Sequence, residues 1–321
     1  MDNNITLIGI IRDTKALKLS VLNIFNSTKL CVGLEGLRTG LVDKNEPFLN
    51  MVVSRNSISF YNDLLKIGFK DDDSNIESYH FKVSKSDLNT LFKFVKPTTG
   101  QIEIYLHGNN QVEFKLGDKE SFWFPISNLK LLNSTYQWLS DILLSDLKML
   151  KAMIQSTSPY INPYFYQGMG LEVTPEGLEL YSKLDQSFIY KAFKMDLPAT
   201  LCAAPAYLPI SSSIKSAIKL LSKGDAQIGL SDFGFKLVQG DWSVSIKFVD
   251  YSHAVIGKAR LYDKYKTMQY SGNDQIESLP DKVTQSVVGE FSGSTNYKPV
   301  GKVLDNLALF ELNNWKFAIQ I

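Results

Sequence analysis

Histidine and cysteine are scarce in this chain, and the few that occur form no recognisable chemical site. The 321 residues include three histidines (His80, His107 and His253) and two cysteines (Cys31 and Cys202). The histidines share no metal-ligand spacing with one another or with the cysteines. Both cysteines have apolar sequence neighbours, which indicates buried thiols in a reducing compartment rather than a disulfide framework. We therefore expect no bound metal and no disulfide.

Motifs that carry catalysis are also missing. The sequence has no glycine-rich phosphate loop, no nucleophile elbow and no kinase-like signature. Cys31 lies in a strand-like apolar context, which favours a core thiol over a nucleophile. The run Asp71 to Asp73 favours a solvated loop over a cation site. No group of residues in the sequence supports an enzymatic function, so we expect a non-enzymatic protein without a cofactor.

Long apolar runs and a large excess of charge are absent too. No run approaches the ~20 apolar residues of a membrane span, and the N-terminus shows no signal-peptide pattern. We therefore expect a soluble cytoplasmic protein with no membrane contact. The net charge is +1, from 34 Lys and Arg against 33 Asp and Glu, which excludes a globally basic nucleic-acid coat. Any affinity for phosphate must come from cations segregated onto one surface.

The chain does contain one unit repeated four times, an amphipathic helix with lysines followed by short alternating strands. The predicted helices are Asp13–Asn26, Ser84–Lys96, Ser145–Ser156 and Ser211–Lys223. Counted at about 100° per residue, Ile214 and Ile218 of the fourth helix fall on one side, whereas Lys215 and Lys219 fall on a separate arc. Four such helices with outward cations predict a scaffold built around a polyanion.

Ten lysines on the polar sides of these helices are the candidate phosphate contacts. They are Lys15, Lys18, Lys85, Lys93, Lys96, Lys148, Lys151, Lys215, Lys219 and Lys223. Few acidic residues interleave with them; Asp87 and Asp146 lie in first turns, where the helix dipole favours a carboxylate. For one helix taken alone, an ordinary solvated face is the better interpretation, but the repetition over four helices favours a shared role.

Strand and turn patterns divide the chain into two domains and a tail. The first domain is predicted at 1–130 and the second at 138–250, joined by a connector at Asn128–Gln137. Residues 251–321 lie outside the fourfold pattern, so we expect an extension separable from the rest. It contains strand-like pieces, including Leu307–Leu312, and a candidate short helix near Lys298–Asn306. Extra edge strands, a partial further unit and a partner-binding appendage all stay open for this tail.

One aromatic segment, Ser158–Tyr166, stands apart from the repeats because it combines four aromatic residues with two prolines. A stacking surface for bases is conceivable for such a segment. Packing of its tyrosines against a sheet face is the more common use, and we favour it.

Four stretches of the sequence carry a resemblance to a known family. Arg12–Lys18, Lys119–Pro125 and Leu144–Lys151 resemble, in order, an opening helix, an aromatic-proline strand and the helix that opens a second domain. They are similar to parts of the DNA sliding clamps, most of all the two-domain clamp of T-even-type bacteriophages. Pro209–Asp250 is similar to the closing half of a bacterial clamp domain. The likeness covers about residues 1 to 250, and the tail has no counterpart in the phage clamp.

The resemblance implies an α+β DNA-clamp fold, in which repeated units of a helix and an antiparallel sheet form a ring with helices lining the hole. Family members line the hole with twelve helices, so four per chain imply a homotrimer. The implied function is a processivity factor that encircles duplex DNA and tethers the replicative polymerase. The ten lysines would then be DNA-binding residues that contact phosphates without reading bases.

The implied partners are double-stranded DNA, a DNA polymerase, a clamp loader and further copies of the chain. The polymerase would dock a short peptide in a groove near residues 126–137. The implied location is the cytoplasm, that of a bacterial host if the protein is viral. The alternative is a clamp-fold structural or interaction scaffold that does not encircle DNA and whose lysines are solubilising charge.

Overall fold

The computed structural model describes most of the chain outside the long segments 15–47, 251–276 and 279–299. The described residues are 5–12, 14, 48–55, 57–62, 64–70, 77–96, 99–118, 120–132, 137–157, 169–184, 187–201, 203–222, 224–247, 249–250, 277–278, 300–304, 307–312 and 314–320. They contain three α-helices, α1 (Lys85–Phe94), α2 (Leu144–Ser156) and α3 (Ser212–Ile218), and a short 3-10 turn at Ala199–Leu201.

Strands make up most of the described residues. In chain order they are β1 (Ile5–Ile11), β2 (Phe48–Val53), β3 (Ile58–Tyr61), β4 (Leu65–Phe69), β5 (Ser78–Ser84), β6 (Ile102–His107), β7 (Gln111–Leu116), β8 (Glu120–Pro125), β9 (Ser127–Leu132), β10 (Gln137–Ile142), β11 (Met169–Thr174), β12 (Gly177–Leu184), β13 (Ser187–Lys194), β14 (Ala203–Leu208), β15 (Ala226–Ser231), β16 (Gly234–Gln239), β17 (Trp242–Ile246), β18 (Val249–Asp250), β19 (Glu277–Ser278), β20 (Val300–Leu304), β21 (Leu307–Leu312) and β22 (Trp315–Gln320).

A three-strand antiparallel meander recurs five times in these strands. The meanders are β2–β3–β4, β6–β7–β8, β11–β12–β13, β15–β16–β17 and β20–β21–β22. Tight turns join their strands, and Gly177 shows why one of them needs glycine. Its φ is +139°, and a Cβ there would collide with the backbone oxygen of Phe193. A side chain at that position is therefore excluded.

Meanders join one another through their third strands. β4 pairs antiparallel with β17, with Val244 opposite Ile67, and this joint builds one nine-stranded sheet. β13 pairs antiparallel with β22, with Ile189 opposite Phe317, and this joint builds a second nine-stranded sheet. The meander β6–β7–β8 extends instead into a four-stranded sheet with the order β1-β6-β7-β8.

The chain divides into two compact units. The first contains residues 1–30, 37–139 and 212–247, and the second contains 31–36, 140–211 and 248–321. This division does not follow the predicted boundaries at 130 and 250, because the joint between β4 and β17 assigns β15, β16 and β17 to the first unit. The two-domain organisation with a tail stays a prediction.

Alternating burial gives each unit its core. In the first unit the rows around Met51, Phe60, Ile67 and Val244 are at most 2% exposed, whereas their strand neighbours point to the opposite face. α1 packs against β5, and α3 packs against β4 and β17. Burying such a side chain stabilises the fold by roughly 1.5–3 kcal/mol, so burial fixes the register of strands with a clear period-two pattern, such as β2 and β7.

Three sequence predictions concern connections and the tail, and the structure contradicts the short helix among them. The connector predicted at Asn128–Gln137 begins within a strand, because β9 pairs with β5. The short helix predicted near Lys298–Asn306 is the strand β20, which pairs with β21. In the tail, β22 continues the sheet of β13 and the indole of Trp315 is fully buried, which favours the extra-strand alternative; the separability of the tail stays a prediction.

Several further predictions concern residues outside the described ranges. They are the burial of Cys31 and Cys202, the solvated loop at Asp71 to Asp73, and the packing of Ser158–Tyr166.

Candidate nucleic-acid interface

The helix α1 presents its lysines as the sequence predicts. Its first turn is capped by Ser84, whose side-chain oxygen accepts a hydrogen bond from the backbone nitrogen of Ser86 at 3.2 Å. Its buried side consists of Leu88, Leu91, Phe92 and, just beyond its last turn, Val95. Lys93 and Lys96 are exposed, and Lys85 is half-buried at the first turn. Cations therefore project from the side of the helix that the core does not use.

The helix α2 is more buried than its pattern predicts. Leu147, Leu150 and Ile154 lie on one side of the helix by their spacing and are at most 1% exposed, and two methionines join them. Lys148 is exposed. Lys151 is half-buried, and burial lowers the pKa of its ammonium group below the ordinary value. Partial burial thus makes the charged form of this lysine more costly than it is in water.

The helix α3 is shorter than predicted. It ends at Ile218 rather than at Lys223, because the backbone nitrogens of Leu220 and Leu221 donate to carbonyls three residues earlier, as in a 3-10 turn. Lys219 is therefore exposed on the turn after the helix. Lys215 is half-buried within the helix, and burial lowers the pKa of its ammonium group.

The first predicted helix lies almost wholly outside the described residues, and so do Lys15 and Lys18. Lys223 lies outside them as well. Of the predicted helix only Thr14 is described; it is 4% exposed, and its hydroxyl donates to the backbone oxygen of Thr99 at 3.1 Å. Among the lysines that are described, those of α1 and α3 belong to the first unit and those of α2 to the second.

A buried polar cluster lies at the start of α2. Asp146 is 8% exposed, and its Oδ1 lies 3.2 Å from the ammonium of Lys191 on β13. The same oxygen accepts a hydrogen bond from Nε1 of Trp315 at 2.8 Å. The sequence predicts for Asp146 only that it complements the helix dipole. No local pattern connects residues this far apart in the chain, so the sequence offers no signal for the cluster.

Within the part of the chain that the structure describes, no group of three or more His, Cys, Asp or Glu side chains could hold a metal ion. No helix among the same residues is long and apolar enough to span a membrane.

Comparison with known proteins identifies the fold. No protein family profile matches the sequence, and no curated protein is detectably similar to it. Among solved structures, a DNA polymerase sliding clamp from Pseudomonas aeruginosa matches with a TM-score of 0.54 at 12% identity, over 98% of this chain and 99% of that chain. A sliding clamp (DNA polymerase III subunit beta) from Bartonella birtlesii gives 0.54 and 12%, over 99% of both chains. The subunit beta from Borrelia burgdorferi gives 0.50 and 11%, over 97% of both chains.

The chain therefore has the α+β sliding-clamp fold. The match extends through the tail, because it covers nearly all of both chains. These neighbours are bacterial clamps, so the expected likeness to the phage type stays a prediction.

Proposed function

We propose that this protein is a DNA sliding clamp: copies of the chain close into a ring around duplex DNA and tether the replicative DNA polymerase, which makes synthesis processive. The observation that carries the proposal is the sliding-clamp fold over nearly the whole chain, combined with lysines on the polar sides of its helices. The proposal includes no catalytic step and no cofactor. It places the protein in the cytoplasm, that of a bacterial host if the protein is viral.

The lysines contact DNA phosphates in this proposal. Exposed ammonium groups such as Lys93, Lys96 and Lys148 attract the backbone without reading base edges, so the complex can slide. For the half-buried Lys151 and Lys215, a nearby phosphate offsets the cost that burial imposes on the charged form. Lys15, Lys18 and Lys223 belong to the proposed surface on the sequence pattern alone.

The strand β8 is the proposed site of self-association. Third strands pair with one another at two joints, β4 with β17 and β13 with β22, whereas β8 has no second neighbour among the described strands. Phe94 lies beside it, 44% exposed, with its ring centre 4.9 Å from that of Phe122. A free strand edge next to an exposed aromatic ring favours a protein partner. We assign that partner to another copy of the chain.

The number of copies in the ring follows from how the helices are counted. Four lysine-bearing helices per chain predict a homotrimer with twelve helices around the hole. The fifth meander, β20–β21–β22, pairs its third strand with β13, just as the third strands β4 and β17 pair with each other. A subunit with five meanders contributes more of the ring, which favours a ring of two copies. Light scattering distinguishes the two, because the particle mass is either three times or twice the 36.2 kDa of the chain.

The polymerase peptide is proposed to dock beside β9. Leu129 is 39% exposed and Leu131 is 52% exposed on this strand, within the region 126–137 that the family resemblance indicates. The double substitution of both leucines by glutamate should weaken polymerase binding in a pull-down and leave the ring mass unchanged. Undiminished binding would place the docking site elsewhere.

The decisive experiment compares circular with linear DNA. Rings loaded onto nicked circular DNA by the cognate clamp loader and ATP should stay bound at a salt concentration that abolishes binding to short duplexes. They should slide off once the circle is cut, because retention is topological. Equal retention on both forms, with an active loader, would contradict the proposal. A monomer that forms no annular particles in negative stain would support the alternative, a clamp-fold scaffold that does not encircle DNA.

A further inference from the structure

Eight strands of the first nine-stranded sheet, β2 to β5, β9 and β15 to β17, together contain four lysines and no acidic residue; the lysines are Lys66, Lys82, Lys130 and Lys236. The remaining strand, β10 at the end of the sheet, carries Asp141. In a chain with a net charge of +1, such a separation of charge is not expected from composition. The four-stranded sheet is different: its strands carry Glu103, Glu113 and Glu120 beside Lys115.

Strand register places the lysines on one face of the nine-stranded sheet. Lys66 lies opposite Tyr61 on one side and opposite Ser245 on the other. Tyr61 lies opposite Asn50, and Asn50 lies opposite Lys82. Residues directly opposite in antiparallel strands share a face, so these side chains form one polar row across the sheet.

Further basic side chains border this row. His80 lies two residues from Lys82 on the same strand, and it lies opposite Lys130. Lys236 lies opposite Ser245. Lys236 is only 2% exposed and donates to the side-chain oxygen of Gln137 at 2.8 Å, so it is not offered to a partner. Lys66 and Lys82 are half-buried and Lys130 is exposed.

The cations of the row form no ion pair among the described residues. The ion pairs of His107 with Glu113 and of Lys191 with Asp146 lie outside this row. The lysines lie close enough to His80 to affect its titration. Burial is the largest cause that lowers the pKa of the His80 imidazole, and the positive charges of Lys130 and Lys82 lower it further. Burial, and to a smaller extent the negative charge of Asp232, raise the pKa of the Tyr61 hydroxyl to about 12.

From this row, defined as Lys66, Tyr61, Asn50 and Lys82 with Lys130 at its border, we infer a docking site for an acidic peptide segment of a protein partner. Lys66 and Lys82 are three strand spacings apart, about 14 Å, which an extended peptide covers in about four residues. A segment with acidic residues at that spacing would pair with both lysines. Asn50 between them adds a polar contact.

An acidic peptide fits this face better than a nucleic acid does. Single strands bind by stacking bases on accessible aromatic rings. The aromatic ring of the row, Tyr61, is half-buried, packs at 70° against Phe233 and has its hydroxyl 2.7 Å from Nε2 of His80. The Tyr61 ring therefore offers no accessible surface on which a base could stack. Three accessible cations are also few, because strong nucleic-acid binding neutralises about six to ten phosphates.

The test measures the fluorescence anisotropy of a rhodamine-labelled peptide of about ten residues that alternates glutamate and serine, added to the full-length protein at low salt. The double variant K66Q/K82Q should weaken binding about fivefold or more. The control K115Q/K194Q removes the same charge from a half-buried and an exposed lysine elsewhere and should change affinity less than twofold. A peptide with glutamine in place of glutamate should not bind.

Three results would overturn the inference. The first is that the acidic peptide fails to bind the unaltered protein. The second is that both double variants weaken binding equally, which would indicate general attraction alone. The third is that an oligothymidine of ten nucleotides binds as tightly as the peptide and loses that binding only in K66Q/K82Q, which would assign the row to nucleic acid. The inference does not depend on ring formation, so a failure here leaves the clamp proposal standing.

Discussion

Trp315, six residues before the end of the chain, donates its indole Nε1 proton to Oδ1 of Asp146 at 2.8 Å, across 169 residues of sequence. This bond ties the last strand, β22, to the first turn of the lysine-bearing helix α2. Lys191 completes the cluster: its ammonium pairs with Asp146 and lies 5.9 Å from the centre of the Trp315 ring. The tail and a proposed DNA-contacting helix therefore share one buried polar centre.

We predict that Asp146→Asn destabilises the protein more than Trp315→Phe. Asparagine can keep the bond to the indole but removes the carboxylate that pairs with the buried Lys191, and breaking such a buried pair costs about 3–5 kcal/mol. Phenylalanine removes one hydrogen bond to a charged group, about 1.5–3 kcal/mol, plus some packing. Urea unfolding midpoints measure both effects. A larger destabilisation in Trp315→Phe would show that packing, rather than the ion pair, dominates the cluster.

Truncation after Asp250 should give an unstable, aggregating protein, contrary to the expectation from the sequence. The cut removes β20, β21 and β22, which leaves the edge of β13 unpaired and uncovers the core cluster around Tyr181 and Phe188. Solubility and size-exclusion profiles check this, with the chain lacking only Ile321 as the control. A soluble, cooperatively unfolding truncated chain would contradict it.

Phe94→Glu should dissociate the assembly into folded monomers. Phe94 is 44% exposed in the single chain, so the substitution costs the subunit fold little, yet a charge beside the free edge of β8 opposes burial by another copy. Light scattering reports the mass and circular dichroism the fold. The control is Leu143→Glu, which alters a 71% exposed apolar residue of the other unit. Equal dissociation by both variants would show that β8 is not the site of self-association.

Alanine at Lys148, Lys151, Lys215 and Lys219 should impair loading onto DNA and stimulation of the polymerase. Removal of these cations should also make duplex binding less sensitive to salt. The slope of log binding constant against log salt concentration should become less negative by roughly 0.9 for each phosphate that is no longer neutralised. The oligomer should stay intact, because Lys148 and Lys219 are exposed and none of the four belongs to the core. Lys115→Ala, on the four-stranded sheet, is the control. Unchanged loading would show that these helices do not face DNA.

Stability should fall below about pH 6.5, in part through His80. Burial, then Lys130 and Lys82, lower the pKa of this imidazole in the folded protein, whereas in the unfolded chain it keeps its ordinary value of 6.5. The unfolded chain therefore binds the proton first, and the stabilisation present above pH 6.5 is lost as the pH falls through the folded value. The drop in urea midpoint between pH 7.5 and pH 5.5 should be smaller in His80→Gln, which cannot titrate, than in the unaltered protein. An identical decline in both would exclude His80.

The spacing of apolar residues and the residues found in turns determined much of this fold from the sequence alone. Alternating side chains between turn residues predict strands such as Gln111–Leu116, because both signals act over a few neighbours. The apolar sides of α1 and α2 follow equally from helical spacing. The order of these elements was enough to indicate the clamp fold, which the structural comparison confirms.

Tertiary structure alone decided the fate of the tail, the length of α3 and the partners of Asp146. β20 is a strand paired with β21, where a short helix was predicted from the sequence. α3 ends where the chain tightens into a 3-10 turn at Leu220. Asp146 is buried because Lys191 and Trp315 arrive from distant strands. Contacts between residues far apart in the chain leave no trace in local periodicity, so one sequence specifies the repeating elements but not the joints between them.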